Sequence, residues 1–403
     1  MPAAPGTVGP VMATLAVENY RSLRHLVVPL AGLNVVTGAN GSGKSSLYRG
    51  LRLLAGAARN GAVAALAREG GLPSTLWAGP ETTGRSVREG RHPVQGTVRA
   101  KAVGLRLGFA GDDFGYAIDL GLPAGGGRTA FALDPEIKRE SIWSGPALRP
   151  AALLCDRNNG VARIREEDGT WSAQYPIRPY DSMLSEFADP QRAPEVLSLR
   201  ERIRSWRFYD YIRTDAAAPA RGSRIGTRTM VLGADGADIA AAMQTICEIG
   251  DSTALDMAID NAFPGSRISI NCDNAGRFEL LLHQHGLLRP LGAPELSDGT
   301  LRYLLWTAAL LTPRPASLTV LNEPETSLHP DLLPPLAQLI TAAAARSQII
   351  AVSHSRHLVD ALQRATEDAG ARVNTIELTK EFGETRIAGQ GPLDEPAWHW
   401  PKR

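Results

Sequence analysis

A chain of 403 residues, 43% hydrophobic and 21% charged, has an ordinary globular composition, with room for one large α/β domain or two smaller ones. Lys plus Arg number 43 against 42 Asp plus Glu, a formal charge of +1, which argues against a globally basic nucleic-acid binder and an acidic tail; any DNA contact has to come from a local patch. No run of about 18 apolar residues occurs, and Cys155, Cys247 and Cys272 form no CxxC pair, which argues against a disulfide framework or a zinc site and fits a reducing cytoplasm.

Residues 1–12, MPAAPGTVGPVM, are small and Pro-rich without a basic or apolar region, and read as a flexible lead rather than a signal peptide. Strands follow in ATLAVEN, LVVPL and LNVVT, the last running into GANGSGKSS. Leu47, Leu51 and Leu54 then recur at helical spacing, so the order is strand, Gly-rich loop, helix. A hairpin is expected in TVRAKAVGLRLGFAGDDFGYAIDLGLP, turning near Gly111, Asp112 and Asp113, and a second in VARIREEDGTWSAQYPI across its Asp-Gly turn. Residues 181–207 and 235–262 have helical patterns, without repeats or sustained heptads. The last hundred residues alternate helix and strand: DGTLRYLLWTAALL, SLTVLNE, DLLPPLAQLITAAAA, SQIIAVS and RHLVDALQRA. That alternation predicts a largely parallel sheet covered on both faces, with VNTIELTKEFGETRIAG as an edge hairpin.

The loop Gly38-Ala39-Asn40-Gly41-Ser42-Gly43-Lys44-Ser45 matches GxxxxGK[ST] in the strand-to-helix context that the motif requires. Its glycines let backbone N–H groups turn toward a β-phosphate, Lys44 reaches the β- and γ-phosphates, and the Ser45 hydroxyl suits magnesium at a helix N-terminus. Average residue usage gives about 0.01 chance matches in a chain of this length, which makes a nucleotide with Mg2+ the expected ligand. Leu318–Glu323 is an apolar strand with a polar end, Asn322 and Glu323; Glu323 is placed to take a proton from the attacking water. Upstream, Leu296-Ser297-Asp298-Gly299-Thr300 opens a helix, and downstream Ser353-His354-Ser355 follows a strand.

With these four elements in order, the chain resembles the ABC-type ATPases: LSDGT is similar to the LSGGQ signature, NEPETSLHP to a Walker B motif with its D-loop, and His354 to the switch histidine. The start LAVENYRSLRHLVVPLAGLNVVTGANGSGKSSL and the phrase NEPETSLHP resemble the RecF, OLD and SMC-related heads, a group that includes many prokaryotic ATPases; the resemblance is clear over about residues 13–55 and 290–360. It implies an α/β P-loop NTPase with a mostly parallel core sheet, an antiparallel β-subdomain and an inserted helical lobe. The expected division is a lead at 1–12, a P-loop lobe with β-subdomain at 13–130, an inserted lobe at 131–285, and signature, Walker B, D-loop, switch and terminal hairpin at 286–403. It further implies ATP sandwiched in a head-to-tail homodimer: Gly38, Asn40, Gly41, Ser42, Gly43, Lys44, Ser45 and Ser46 bind it on one subunit, while Ser297, Asp298 and Gly299 of the other close over it.

Glu323 is then the base, His354 the γ-phosphate sensor, and Arg21 in NYRSL a further nucleotide contact, with Tyr20 packing. Two positions depart from the family pattern. No Q-loop glutamine stands out, Gln95 being a candidate, and Asn322 replaces the Walker B aspartate. An asparagine Oδ1 still accepts the hydrogen bond of a magnesium-bound water but lacks the charge, so a slow ATPase is expected. DNA maintenance or defence against phage, with DNA and a nuclease or other effector protein as candidate partners and no membrane, is the role the resemblance suggests. The stretch after the last helix has no acidic cluster, so the nuclease domain of OLD-type proteins is not expected. A nucleotide-sensing regulatory module is the rival, and a transporter subunit a more distant one.

Weaker features take simpler readings. SLRERIRSWRFYDYIRTD interleaves Arg200, Arg202, Arg204, Arg207 and Arg213 with aromatics, a pattern that tracks phosphates and stacks bases; the preferred reading is an amphipathic helix with paired arginines. Arg221, Arg224 and Arg228, like Arg85, Arg88 and Arg91, read as solvated loop charge. His283 and His285 are expected to share a strand face in a structural role.

Overall fold

A computed structural model describes residues 11–59, 61–80, 104–123, 130–166, 168–172, 174–187, 190–210, 212–391 and 393–402. The chain divides into two compact units. One contains Gly32–Val35 and Arg207–Thr375; the other contains Gly9–Ala31, Val36–Trp206 and Ile376–Arg403.

The second unit is built on an antiparallel sheet of β1 (Thr14–Tyr20), β2 (Leu23–Pro29), β4 (Leu105–Ala110), β5 (Phe114–Gly121), β6 (Glu136–Ser144), β7 (Leu153–Asn158), β8 (Val161–Ile164) and β9 (Tyr175–Pro176). Their order among the described residues is β2-β1-β4-β5-β6-β7-β8-β9. The β4–β5 hairpin expected from sequence is present, Gly111 N–H donating to Phe114 O at 2.9 Å across its turn. The strip around the second Asp-Gly turn also folds back, with an isolated bridge between Arg165 and Trp171 and β8 paired to β9.

The sheet runs on through β6 and β7 past residue 130, where the sequence suggested a new lobe. Charged residues hid these strands. Arg157 and Glu140 are fully buried 3.6 Å apart. Glu140 accepts from Tyr116 Oη and Met183 N at 2.8 Å each and from Ser182 Oγ, while Arg157 donates to the carbonyls of Asn159, Arg178 and Asp181. Such a network is tolerated inside because every charge has partners. Burial, then Glu140, pushes the Tyr116 phenol well above its ordinary range.

The same unit carries the end of β3 (Leu33–Gly38), the helix Lys44–Ala57, and the terminal hairpin of β17 (Asn374–Glu381) and β18 (Glu384–Ile387). That hairpin turns over Phe382 and Gly383, both at positive φ, and β18 is the last strand of its sheet.

In the first unit β10 (Arg207–Tyr209), β15 (Leu318–Asn322) and β16 (Gln348–Val352) are parallel neighbours, followed by β3. β15 and β16 are apolar and almost wholly buried, as parallel strands covered on both faces require. The helices Asp298–Leu310, Leu333–Ala344 and Arg356–Asp368 contribute Leu301, Leu304, Trp306, Leu336, Ile340 and Leu362 to one core with these strands.

The helical region 235–262 resolves into Ile239–Ile249 and Ser252–Ala262. A small antiparallel sheet not foreseen from sequence follows: β12 (Arg267–Cys272) and β13 (Arg277–His283), with β11 (Arg224–Ile225) and β14 (Leu291–Gly292) on the other side of β13. β13 ends at His283, so His285 lies beyond the strand instead of sharing its face; His283 Nε2 meets Ser269 Oγ at 2.8 Å. No helix among the described residues is long and apolar enough to cross a membrane.

Candidate functional site

β3 delivers the chain into the glycine loop, and the loop geometry explains its glycines. Gly38, Gly41 and Gly43 all have positive φ, which only glycine adopts freely. A Cβ on Gly43 would lie 2.2 Å from Thr385 Oγ1, and one on Gly38 would lie 2.2 Å from Leu378 O, whereas one on Gly41 would enter open space. β17 and β18 thus buttress the loop from behind, and Thr385 Oγ1 donates to Ser42 O at 2.8 Å.

Lys44, the first residue of its helix, is buried, and its Nζ donates to Gly38 O at 2.6 Å and Ala39 O at 3.1 Å. No carboxylate among the described residues pairs with it. Among the described residues, a buried ammonium held only by loop carbonyls, beside a buried Ser42 hydroxyl without a partner, is a donor set that fits an anion. Ser45 is exposed in the first helical turn and Ser46 half-buried, while Asn40 and Gly41 are exposed. These residues fit a nucleotide phosphate, with a hydroxyl of the kind magnesium uses.

β15 and β16 place the second group of residues. β16 lies between β15 and β3, so the strand ending in Asn322 is not the direct neighbour of the one entering the glycine loop. Asn322 is in register with Val352, and Glu323 N–H donates to Val352 O at 2.8 Å. Glu323 sits at φ 48°, a conformation unfavourable for a non-glycine residue. Its Oε1 is 3.7 Å from His354 Nδ1.

Sequence reasoning missed Glu325. This carboxylate is buried; its Oε1 accepts from Ser353 Oγ at 2.6 Å and His354 N at 3.1 Å and stands 3.4 Å from His354 Nδ1. Its Oε2 is buried with no partner among the described residues. His354 therefore stands between two carboxylates of the same NEPE segment, one half-exposed and one inside. The Glu-x-Glu spacing was visible in sequence; its long-range partners were not.

The signature forms the third group. Ser297 caps its helix, Oγ accepting from Thr300 N at 3.1 Å, and Asp298 and Gly299 open the first turn. Gly299 is needed for close approach: a Cβ there would be 2.9 Å from Ser327 O in the D-loop. Arg221, expected to be solvated, is instead 10% exposed and bound to Asp298 at 2.8 Å.

Other expected contacts divide as follows. Arg21 donates to Glu69 Oε2 at 2.9 Å, and Tyr20 is fully buried with its hydroxyl on the same oxygen. In the basic stretch, Arg202 pairs with Asp113, Arg204 with Glu201 and Arg213 with Asp215, while Trp206 and Tyr209 are core residues and not a stacking platform. Arg85, Arg88, Arg91 and Gln95 lie outside the described residues. The described residues contain no His/Cys/Asp/Glu group able to hold a metal by itself.

Residues 33–146 and 162–360 match the model of the family described as "AAA domain, putative AbiEii toxin, Type IV TA system". The chain belongs to that family. No curated protein matches it. Among solved structures it is similar to an SMC head bound to the C-terminal winged-helix domain of ScpA (TM-score 0.50, 12% identity, 94% of this chain and 97% of that one). It is also similar to an SMC head with an extended coiled coil bound to the C-terminal domain of ScpA from Pyrococcus furiosus (TM-score 0.50, 12% identity, 94% and 96%). This AAA-family chain is thus an α/β P-loop NTPase with the ABC-type fold of the SMC heads, an ATPase-type domain.

Proposed function

We propose that this AAA-family domain binds ATP at Gly38–Ser46, hydrolyses it slowly, and uses ATP to gate a head-to-tail homodimer. The observation that carries the hydrolytic part is the arrangement of Glu323 and His354 on the ends of adjacent parallel strands, 3.7 Å apart. Glu323 takes the proton of the attacking water, its strained backbone fixing the carboxylate at the strand end. His354 senses the γ-phosphate, and Glu325 positions it by holding the backbone N–H of His354 and the hydroxyl of Ser353. Lys44 neutralises the β- and γ-phosphates, for which it has no competing carboxylate among the described residues. Magnesium, held by Ser45 and through water by Asn322, would supply further neutralisation of phosphate charge. Ser297 and Gly299 of a second subunit close the site.

The biological reading is DNA maintenance or defence against phage in the cytoplasm. It rests on the RecF- and SMC-like sequence features and on the family description, which names a toxin–antitoxin system. A protein effector docking on the head is the counterpart of the ScpA domains bound to the two SMC heads. Asn322 favours a second reading, a nucleotide sensor with little turnover, because it removes one negative charge beside the ion.

The test is steady-state phosphate release with Mg-ATP, with and without duplex DNA. Glu323→Gln is expected to lower turnover about 10²- to 10⁴-fold with nucleotide binding retained, and Asn322→Asp to raise it. An inactive parent restored by Asn322→Asp decides for the sensor; a parent whose turnover is unchanged by Glu323→Gln removes Glu323 as the base.

A further inference from the structure

We infer that Arg221 is the positioning residue of the signature loop, and that it keeps the Asp298 carboxylate from opposing phosphate at the end of the signature helix. The inference deepens the ATP-closed dimer proposed above and rests on it.

The guanidinium of Arg221 gathers two distant segments. Its Nε and Nη2 donate to Thr214 O at 3.0 and 2.7 Å, and its Nε also to Asp215 O at 3.1 Å. Its Nη1 donates to the carbonyls of Ala293, Pro294 and Leu296 at 2.9, 3.3 and 2.8 Å, and its Nη2 to Asp298 Oδ1 at 2.8 Å. The carbonyls of residues 293, 294 and 296 immediately precede Ser297, so one side chain sets the path by which the chain enters the signature. Only a planar fork of five N–H donors serves so many acceptors at once; a lysine would act as a point charge.

The second part concerns charge. Asp298 stands where the ABC signature pattern has a glycine, and its side chain is 57% exposed in the first turn of a 13-residue helix. An acid there suits the helix dipole of an isolated subunit. The same carboxylate repels a γ-phosphate arriving at that helix end. Arg221 cancels it. The other acid beside Ser297 is treated alike: Glu295 is bound by Arg289 at 2.6 and 2.8 Å and accepts from Gly292 N at 3.0 Å. Each carboxylate flanking Ser297 thus carries its own arginine, which leaves Ser297 and the helix N–H groups free of a competing anion.

The experiment uses the full chain with Glu323→Gln, so that ATP is bound but not consumed, and measures the ATP-dependent dimerisation constant by light scattering. Binding of a fluorescent ATP analogue to dilute monomer and thermal melting serve as controls for the glycine loop and the fold. Arg221→Gln loses the charge and leaves two N–H donors of the five, and is expected to weaken association about tenfold with monomer nucleotide binding unchanged. Adding Asp298→Asn should recover about threefold of that loss, the part owed to the exposed charge, while the part owed to the carbonyl contacts stays lost. Asp298→Asn alone, an exposed change that leaves the fold intact, should match or tighten the parent.

A double variant as weak as Arg221→Gln, or an Asp298→Asn variant weaker than the parent, overturns the charge argument. A parent that does not associate with ATP at all removes the dimer reading itself, and that outcome is visible before any change at Arg221.

Discussion

The glycine loop and the signature loop, both proposed above to meet phosphate, are held in different ways. In the glycine loop the backbone carries the function: positive φ at Gly38, Gly41 and Gly43, a lysine resting on two loop carbonyls, and a hairpin behind. In the signature loop long side chains do the holding, with Arg221 reaching in from far along the sequence and the Arg289–Glu295 pair bracing the segment just before Ser297. The NEPE–Ser353–His354 cluster belongs to the second type, tied by the buried carboxylate of Glu325. Backbone-built sites tolerate almost no change at fixed positions. Sites held by side chains can be tuned, and can change the identity of the holder.

That contrast is tested most severely at Gly43. Alanine there meets Thr385 Oγ1 and must also adopt φ 113°, a combined strain of about 1–3 kcal/mol at the position that starts the phosphate helix. Binding of a fluorescent ATP analogue is expected to weaken by about ten- to a hundredfold. Gly41→Ala carries only the conformational penalty, since its Cβ enters open space, and should weaken binding less. Equal losses for the two variants would mean that the hairpin does not buttress the loop.

Glu325 comes next. Glu325→Ala leaves the Ser353 hydroxyl and the His354 N–H without their buried acceptor, a loss of about 1–3 kcal/mol in thermal unfolding. Glu325→Gln keeps an acceptor oxygen at the same place and should retain most of that stability while lowering turnover severalfold, because the charge beside His354 is gone. If both variants melt like the parent, the cluster is not what joins these two strand ends.

What could be read from the sequence follows the same division. The glycine loop was legible because its chemistry lies in consecutive residues with fixed spacing, and the parallel order of β15 and β16 because both strands are mostly apolar and alternate with helices. Glu325 and Arg221 were not, since their partners lie 28 and up to 77 positions away and nothing local distinguishes them from surface charge. β6 and β7 escaped for a related reason: Glu140 and Arg157 break the alternation that marks a strand, and only the folded sheet supplies the carbonyls and hydroxyls that make their burial tolerable. The small sheet of β12 and β13 is only partly covered, so its apolar signal is weak, and its turn is fixed locally by Asp273, whose carboxylate accepts from Ala275 N and Arg277 N at 2.8 Å each.

The smallest effect expected of a side-chain-held loop concerns Glu295, and its sign can be worked out. Arg289 first, then the Gly292 N–H, lowers the Glu295 carboxyl from its ordinary 4.5 to about 2. A depressed folded value means that its contribution is complete above about pH 4.5 and is lost as pH falls toward 2. The pair is exposed, so the contribution is small and weakens further with added salt. Melting temperatures of the parent and Glu295→Gln should therefore differ slightly at pH 6 and converge as the pH is taken below about 4. A difference that grows toward acid would mean that Glu295 is held in its protonated form, and that the segment before Ser297 is pinned by something other than Arg289.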